Sequence, residues 1–139
     1  MKSMRILIVE DEALIAMMLV DALEAGGHEV MEPAGTATEA LALCEAMLPE
    51  LALLDVNLRD GSNGVALARV LSDRWGLPVI FASGQVMEAR QARDIALGHI
   101  RKPYQPETVL HSVEVARVVM NGGRPRQVPV GFELFTAAE

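Results

Sequence analysis

Short apolar runs recur along the chain, and the first of them, RILIV at residues 5–9, shows no alternation of apolar and polar residues. A continuous β-branched run of this length is typical of a parallel strand that is buried on both faces. The predicted strands are residues 5–9, 28–32, 51–54, 78–82 and 97–100. The second is the weakest of these predictions.

Between these runs, apolar residues recur every three to four positions, which is the period of an amphipathic helix. The predicted helices are residues 13–25, 36–47, 64–75, 86–95 and 106–120. Thr36 and Glu39 have the spacing of a capping box, and Asp11 is a candidate cap for the first helix. The fourth helix has a thin apolar face, which indicates loose packing or an exposed surface.

Strand and helix alternate five times, which predicts an α/β fold with a doubly wound parallel sheet and helices on both faces. Residues 121–126 (NGGRPR) have the composition of a linker. We therefore divide the chain into a domain of residues 1–120 and a linker with a C-terminal tail, residues 121–139. Apolar residues alternate along residues 128–134, so the tail is either a frayed end or an extended arm that packs on the domain.

Composition and charge narrow the functional classes. The chain has 139 residues, of which 51% are hydrophobic, enough for one domain with a substantial core. Its net charge of −7 repels phosphate backbones, so we expect no direct binding of nucleic acid. The lone cysteine, Cys44, fits a reducing compartment. The N-terminal apolar run stops at Glu10, too early for a signal peptide, and we expect a soluble cytoplasmic protein without membrane contact.

Polar side chains follow four of the predicted strands at the point where each strand ends. They are Glu10 and Asp11, Asp55, Ser83, and Lys102. Each alone is ordinary cap or turn chemistry, but the carboxyl ends of parallel strands meet at one edge of a sheet, where ligands bind. Carboxylates about 4 Å apart repel by about 4 kcal/mol per pair at an effective dielectric near 20. A divalent cation relieves that repulsion, and oxygen ligands favour Mg²⁺.

A carboxylate beside Mg²⁺ can also attack phosphorus, because aspartate is among the side chains that form covalent phosphoryl intermediates. The metal would neutralise one oxygen of the transferred group, Lys102 a second, and the Ser83 hydroxyl with nearby N–H groups the third. Asp55 is thus a candidate helix cap, metal ligand or nucleophile. Because Ser83 and Lys102 follow other strands at the same edge, the role of nucleophile is favoured.

This set of residues resembles the receiver domain of two-component response regulators. The segments that carry the resemblance are ILIVEDE, LALLDVNL, FASG and RKP, spread over residues 5 to about 120. The resemblance implies a flavodoxin-like (βα)5 fold, a three-layer α/β/α arrangement with strand order 2-1-3-4-5. It also implies that the Lys102–Pro103 peptide bond is cis.

The resemblance further implies a role for each residue of the site. Asp55 is the expected phosphoacceptor, with Ser83 and Lys102 contacting the phosphoryl group. The expected Mg²⁺ ligands are Glu10, Asp11, Asp55 and the backbone carbonyl of Asn57. The family would use these residues as a phosphorylation-activated switch, with the phosphoryl group coming from a sensor histidine kinase or a phosphotransfer protein. Phosphorylation would change the face of the fourth helix, fifth strand and fifth helix, and so control a protein partner.

The chain departs from the family pattern at several positions. Arg59 stands where the family often has proline, and His99 stands where it has a switch aromatic, while Tyr104 follows the Lys-Pro pair instead. The stretch FASGQ is similar to the Phe-Ala-Thr-Gly-Tyr stretch of a subgroup of stand-alone receivers. These differences predict that the signal leaves the site by a route other than the usual Thr–Tyr coupling. For His99 we favour a structural role over a partner contact on the surface of the fourth helix and fifth strand.

Other functions are open at this point. A phosphatase of the haloacid dehalogenase type also uses an aspartate and Mg²⁺, but it carries a second aspartate where this chain has Asn57. The chain could also be a receiver fragment of a longer regulator with an output domain, or a phosphorylation-independent interaction module. We expect no enzyme activity beyond self-catalysed phosphoryl transfer to Asp55 and its hydrolysis, and a monomer or weak dimer. His28 and His111 are expected at the surface, and Tyr104 partly exposed.

Overall fold

The structure, a computed structural model, describes residues 3–135. Its strands are β1 Arg5–Val9, β2 Glu29–Val30, β3 Leu51–Leu54, β4 Val79–Ser83, β5 Ala96–Arg101 and β6 Phe132–Leu134. Its helices are α1 Ala13–Ala25, α2 Ala37–Ala46, α3 Gly64–Trp75, α4 Val86–Gln91 and α5 Pro106–Met120. The strands form one sheet in the order β2-β1-β3-β4-β5-β6, in which the first five are parallel. The predicted flavodoxin-like fold is confirmed.

The apolar strands lack alternation because the sheet is buried on both faces. Along β1, Leu7 and Val9 belong to a core with residues of α2 and α3, whereas Ile6 and Ile8 belong to a second core with residues of α1 and α5. Both faces of the strand therefore require apolar side chains. This arrangement leaves polar residues to the strand ends.

The start of α2 follows local chemistry, whereas the start of α1 does not. Thr36 caps α2 by accepting a hydrogen bond from the Glu39 N–H, and the Glu39 carboxylate accepts one from Gly35, which is close to the predicted capping box. The expected cap of α1 by Asp11 is wrong. Glu12 occupies the cap position, and its N–H donates to the Glu10 carboxylate at 3.1 Å, so Glu10 satisfies the start of the helix instead.

Two elements are much shorter than predicted. The strand β2 has two residues, and α4 ends at Gln91 rather than at residue 95. After Gln91, the N–H groups of Ala92, Arg93 and Ile95 each donate to a carbonyl three residues back, as in a tight turn. This tightening brings the chain directly into β5 at Ala96. The weak apolar face of this stretch is consistent with a short helix.

The C-terminal tail is an extended arm, not a frayed end, within the described residues. The strand β6 pairs antiparallel with β5, in the register Gly98 with Leu134, His99 with Glu133 and Ile100 with Phe132. The Phe132 ring is buried in the core shared by α1 and α5. The last part of the predicted tail, residues 136–139, lies outside the described residues.

Three further expectations concern single side chains. His28 is not at the surface: it is 4% exposed, its Nδ1 accepts a hydrogen bond from the Met4 N–H, and its Nε2 lies 3.2 Å from Oε2 of Glu114. The prediction failed because these partners, the residue before β1 and a residue of α5, are far from His28 along the chain. His111 is exposed and Tyr104 is partly exposed, as predicted.

The helices were compared with the length and hydropathy that a membrane-spanning helix needs. Across residues 3–135, no helix is both long enough and apolar enough to cross a membrane.

Candidate functional site

Asp55 stands at the centre of the rim formed by the carboxyl ends of the strands. It follows β3 directly, and its N–H donates to the carbonyl of Val9 at 2.9 Å, which ties it to the end of β1. Its Oδ1 accepts a hydrogen bond from the Val56 N–H at 2.7 Å, and its Oδ2 accepts one from Lys102 Nζ at 2.9 Å. The carboxylate is buried and held at both oxygens, so its orientation is set before any ligand arrives.

Gly64 permits this position of Asp55. The α3 helix begins against the end of β3, and the Gly64 N–H donates to the Val56 carbonyl at 2.6 Å. A Cβ atom on Gly64 would overlap the carbonyl oxygen of Asp55. Any larger residue would therefore push the Asp55 backbone away from its place.

Three carboxylates come together at this rim. Glu10, Asp11 and Asp55 each offer an oxygen atom, and these atoms all lie within 4.8 Å of one another. Glu10 Oε1 is buried and has no hydrogen-bond donor among the described residues, although it lies 3.0 Å from the Lys102 amine. A buried carboxylate oxygen that is paired with one amine and stands beside two other acids suits a hard cation. The residues present therefore fit Mg²⁺.

Lys102 compensates the acids from the other side. Its amine lies 2.9 Å from Oδ2 of Asp55 and 3.0 Å from Oε1 of Glu10. Burial acts to lower the pKa of Lys102, but the hydrogen bond to Asp55 and the ion pairs with both acids outweigh it and raise that pKa above its ordinary value. Burial raises the pKa of the Glu10 carboxyl. The amine is thus held charged at the rim, and the following bond, Lys102–Pro103, is cis as predicted.

Ser83 occupies the end of β4, on the side of the rim away from Glu10. Its hydroxyl is buried and accepts a hydrogen bond from the Gln85 N–H at 3.0 Å, and its carbonyl accepts one from the Lys102 N–H at 3.1 Å. The same carbonyl lies 2.7 Å from Nε2 of His99. Ser83 therefore connects the lysine, the start of α4 and the middle of β5.

Asn57 lies in the exposed loop after β3, where it forms an isolated bridge with Asn63. The structure thus brings together Glu10, Asp11, Asp55 and Lys102, places Ser83 on the adjoining strand end, and puts Asn57 in the neighbouring loop. Their functional roles stay predictions at this point.

Two charged residues near the site were not predicted to belong to it. The carboxylate of Glu12 lies 3.9 Å from the Lys102 amine, and its position directly after Asp11 was the available signal. Arg59 lies over the backbone of Gly35 and pairs with Glu39 at 3.4 Å. A Cβ atom on Gly35 would lie 2.7 Å from the Arg59 guanidinium. No local signal in the sequence predicts these contacts, because the partners are twenty or more positions apart.

Comparison with known proteins places this geometry in a family. A family model described as "Response regulator receiver domain" matches residues 6–114. The chain is 36% identical over 126 residues to the phyllosphere-induced regulator PhyR of Methylorubrum extorquens, an alignment that covers 88% of this chain and 46% of that protein. It is 35% identical to the transcriptional regulatory protein PdtaR of Mycobacterium tuberculosis, over 81% of this chain and 56% of that protein. The chain thus spans about half the length of these curated relatives.

Solved structures show the same likeness. The response regulator PhyR from Brucella abortus aligns with a TM-score of 0.68 at 32% identity, over 87% of this chain and 53% of that one. The receiver domain of NtrX from the same organism aligns with a TM-score of 0.74 at 30% identity, over 84% and 98%. A structure described as the anti-anti-sigma factor PhyR from Bartonella quintana aligns with a TM-score of 0.67 at 29% identity, over 78% and 46%.

Proposed function

The chain belongs to the receiver-domain family of response regulators, and we propose that it acts as a phosphorylation-activated switch in which Asp55 accepts the phosphoryl group. A phosphohistidine on a kinase or phosphotransfer protein is the donor. One carboxylate oxygen of Asp55 forms a bond to phosphorus as the bond from phosphorus to the histidine nitrogen breaks. The products are an acyl phosphate on Asp55 and a free histidine on the donor.

One observation carries this proposal. A single amine, Lys102, lies within 3.0 Å of both Asp55 and Glu10, at a rim where three carboxylates offer oxygens to one point. The acids Glu10, Asp11 and Asp55 would hold Mg²⁺, and the backbone carbonyl of Asn57 is proposed as a further ligand. When bound, the metal would supply positive charge that stabilises the transferred phosphoryl oxygens.

The remaining residues each have a task in the transfer. Lys102 moves from its ion pair with the Asp55 carboxylate to an ion pair with the phosphoryl group, which keeps its charge compensated throughout. The Ser83 hydroxyl leaves the Gln85 N–H and donates to a phosphoryl oxygen. Asn57 lacks the carboxyl group that a phosphatase would need as a general acid two residues after its nucleophile. We therefore propose no activity beyond phosphoryl transfer to Asp55 and its hydrolysis.

The surface beside the site supports docking of a protein donor. On α1, Leu14 is 81% exposed and Met17 is 61% exposed. Met17 also lines a groove of ≈ 830 Å³ that reaches Glu10 and Asp11. An exposed apolar stripe next to a reactive carboxylate fits the apolar face of a helix that carries the donor histidine.

The output is proposed to be contact with a protein. A chain of net charge −7 does not suit nucleic acid, and one similar protein is described as an anti-anti-sigma factor. We propose by this likeness that the phosphorylated form binds a protein regulator of transcription.

The test is transfer of radiolabel from a phosphorylated histidine kinase to the purified chain. Asp55→Asn should abolish labelling, while the control Asp73→Asn, which changes an exposed acid on α3, should be labelled as the wild type is. Labelling that persists in Asp55→Asn would refute the assignment. Chelation of Mg²⁺ with EDTA should also prevent labelling of the wild type.

A further inference from the structure

The edge of β5 carries a ligand supplied by the chain itself. An edge strand presents unpaired N–H and C=O groups that recruit another strand. Here the arm, defined as residues 129–135, meets that need through β6. Besides the ladder of β6, the Arg101 N–H donates to the Gly131 carbonyl at 2.9 Å and the Phe135 N–H donates to the Leu97 carbonyl at 2.8 Å.

Gly98 provides a notch for the aromatic residue of the arm. A Cβ atom at Gly98 would lie 2.6 Å from the ring of Phe132 and 2.6 Å from the carbonyl oxygen of Glu133. The Phe132 ring therefore occupies space that any other residue at position 98 would fill. The strand β5 accepts the arm at this point because it has no side chain there.

The acidic residue of the arm, Glu133, also has a partner on the domain. Glu133 pairs with Arg90 at 2.9 Å, which ties the arm to α4. Leu134 packs against the core shared by α1 and α5, and Phe135 packs against the other core. The β5 edge thus selects an extended segment in which an aromatic residue is followed by an acid and then by an apolar residue.

The arm has the features of a displaceable ligand. Its strand has three residues, whereas strands of five or six are usual. Val130, within the arm, is 97% exposed. The arm follows a Gly- and Pro-containing stretch, residues 121–126, in which Gly122 has a φ of 82°. Residues 121–126 tether the arm to α5, and a short tether keeps a ligand at high effective concentration next to its binding surface.

His99 connects the arm to the phosphorylation site. Its backbone pairs with Glu133 of the arm, and its ring bonds to the carbonyl of Ser83 at 2.7 Å. His99 as a whole residue is 2% exposed, and it borders a cavity that Arg90 and Glu133 also line. A shift of the Ser83 backbone, as its hydroxyl turns toward a phosphoryl group, would move the carbonyl that is the ring's hydrogen-bond partner. The space into which the ring could turn lies under the arm.

We infer that the β5 edge is a docking surface for an extended segment of aromatic–acid–apolar chemistry, held in cis by the arm, and that phosphorylation opens it for the corresponding segment of a partner protein. The first half depends on the geometry of Gly98, Phe132 and Arg90. The second half rests on the proposed function, because it needs a phosphoryl group at Asp55. In this way the partner replaces a strand that is already part of the sheet.

The experiment uses the full chain, labelled with ¹⁵N, and a peptide of the sequence VPVGFELF, which copies residues 128–135. Phe132→Ala should release the arm and leave the β5 edge intact. Gly98→Ala should also expel the arm, but it fills the notch that the peptide needs. The two variants are therefore a matched pair: each loses the arm, and one of them keeps the acceptor.

The expected result is that Phe132→Ala binds the peptide at least about tenfold more tightly than the wild type, because the tethered competitor is gone. Amide shifts of Gly98, His99 and Ile100 should report the binding. Gly98→Ala should not respond. Should Phe132→Ala fail to fold, Glu133→Arg, which places a like charge against Arg90, takes its place. The inference of a docking surface would be overturned if the variant with a released arm did not bind the peptide, or if Gly98→Ala bound it equally well. A dimer formed by exchange of arms between two chains would overturn it as well.

Coupling to phosphorylation is measured with Mg²⁺ and beryllofluoride, a phosphoryl mimic. The wild type should then bind the peptide as Phe132→Ala does, and the amides of residues 132–134 should lose protection from hydrogen exchange. A shifted Val56 amide with an unchanged arm would overturn the coupling and leave the proposed function standing. An unshifted Val56 amide would overturn the proposed function and the coupling together. Peptide binding by Phe132→Ala and Gly98→Ala would still test whether the β5 edge is a docking surface.

Discussion

The amine of Lys102 donates a 2.9 Å hydrogen bond to the buried carboxylate of Asp55. The same amine lies 3.0 Å from Glu10. A single positive charge thus compensates two buried acids whose sequence positions are far apart. This relationship fixes the position of both carboxylates against one amine, and it makes the first prediction.

Removing the amine should destabilise the protein in the absence of Mg²⁺. We expect Lys102→Met to lower the free energy of unfolding by about 2–4 kcal/mol at pH 7, because breaking a buried pair leaves uncompensated charge. Urea unfolding monitored by circular dichroism would measure it. The control Arg101→Met, which alters the exposed side chain before it, should change stability by less than about 0.5 kcal/mol. Equal losses in the two variants would contradict this account of Lys102.

Mg²⁺ should stabilise the wild type by relieving repulsion among the three acids. A ligand at one hundred times its Kd stabilises a protein by about 2.7 kcal/mol, so the melting temperature should rise with Mg²⁺ and then saturate. Asp11→Asn should shift the midpoint of this titration to much higher Mg²⁺ concentration. Asp21→Asn, an exposed acid on α1, should titrate as the wild type does. A response that is the same in both variants would place the metal elsewhere.

The buried ring of His99 should make stability depend on pH. Burial lowers the pKa of His99 below its ordinary value of 6.5, against the opposing effects of the Ser83 carbonyl and Glu133, while Arg101 and Arg90 lower it further. Below pH 6.5 the unfolded state binds a proton more readily than the folded state, so stability is full above that pH and falls as the pH decreases through the folded pKa.

The measurement is urea unfolding of the wild type and of His99→Phe at pH 7.5 and pH 5.5. The wild type should lose more stability between these two pH values than His99→Phe does. His111→Gln, which changes an exposed histidine, should keep the dependence of the wild type. If His99→Phe has the same dependence as the wild type, the titration belongs to another group.

His28 should be important for stability and not for the site. It joins the segment just before β1 to α5 through its bonds to Met4 and Glu114, so His28→Ala removes two hydrogen bonds and leaves a cavity. We expect a loss of about 2–4 kcal/mol. His111→Ala should cost less than about 0.5 kcal/mol. The phosphoryl-mimic titration, followed by the Val56 amide, should stay unchanged in a folded His28→Ala, and a changed midpoint would show that the residue also acts on the site.

Much of the architecture was predictable because its signals are local. The continuous apolar runs of β1 and β3 come from burial on two faces, and the bounds predicted for α1, α3 and α5 agree with the structure. The predictions that failed depend on distant partners. The Asp11 cap was wrong because Glu10, held by Lys102, is in place to accept the Glu12 N–H. The length of α4 was wrong because a weak apolar face does not define where a helix ends.

The sequence by itself determined the order of strands and helices and which polar residues follow the strands, since the period of apolar residues and the chemistry of turns act over a few positions. It therefore also determined that acids, a hydroxyl and an amine would share one rim, because parallel strands end at one edge. Only the tertiary structure decided that the arm covers β5 and that His28 is buried. Those outcomes depend on shape complementarity between segments that are far apart along the chain, such as the space over Gly98 that Phe132 fills. No local sequence pattern encodes such a fit.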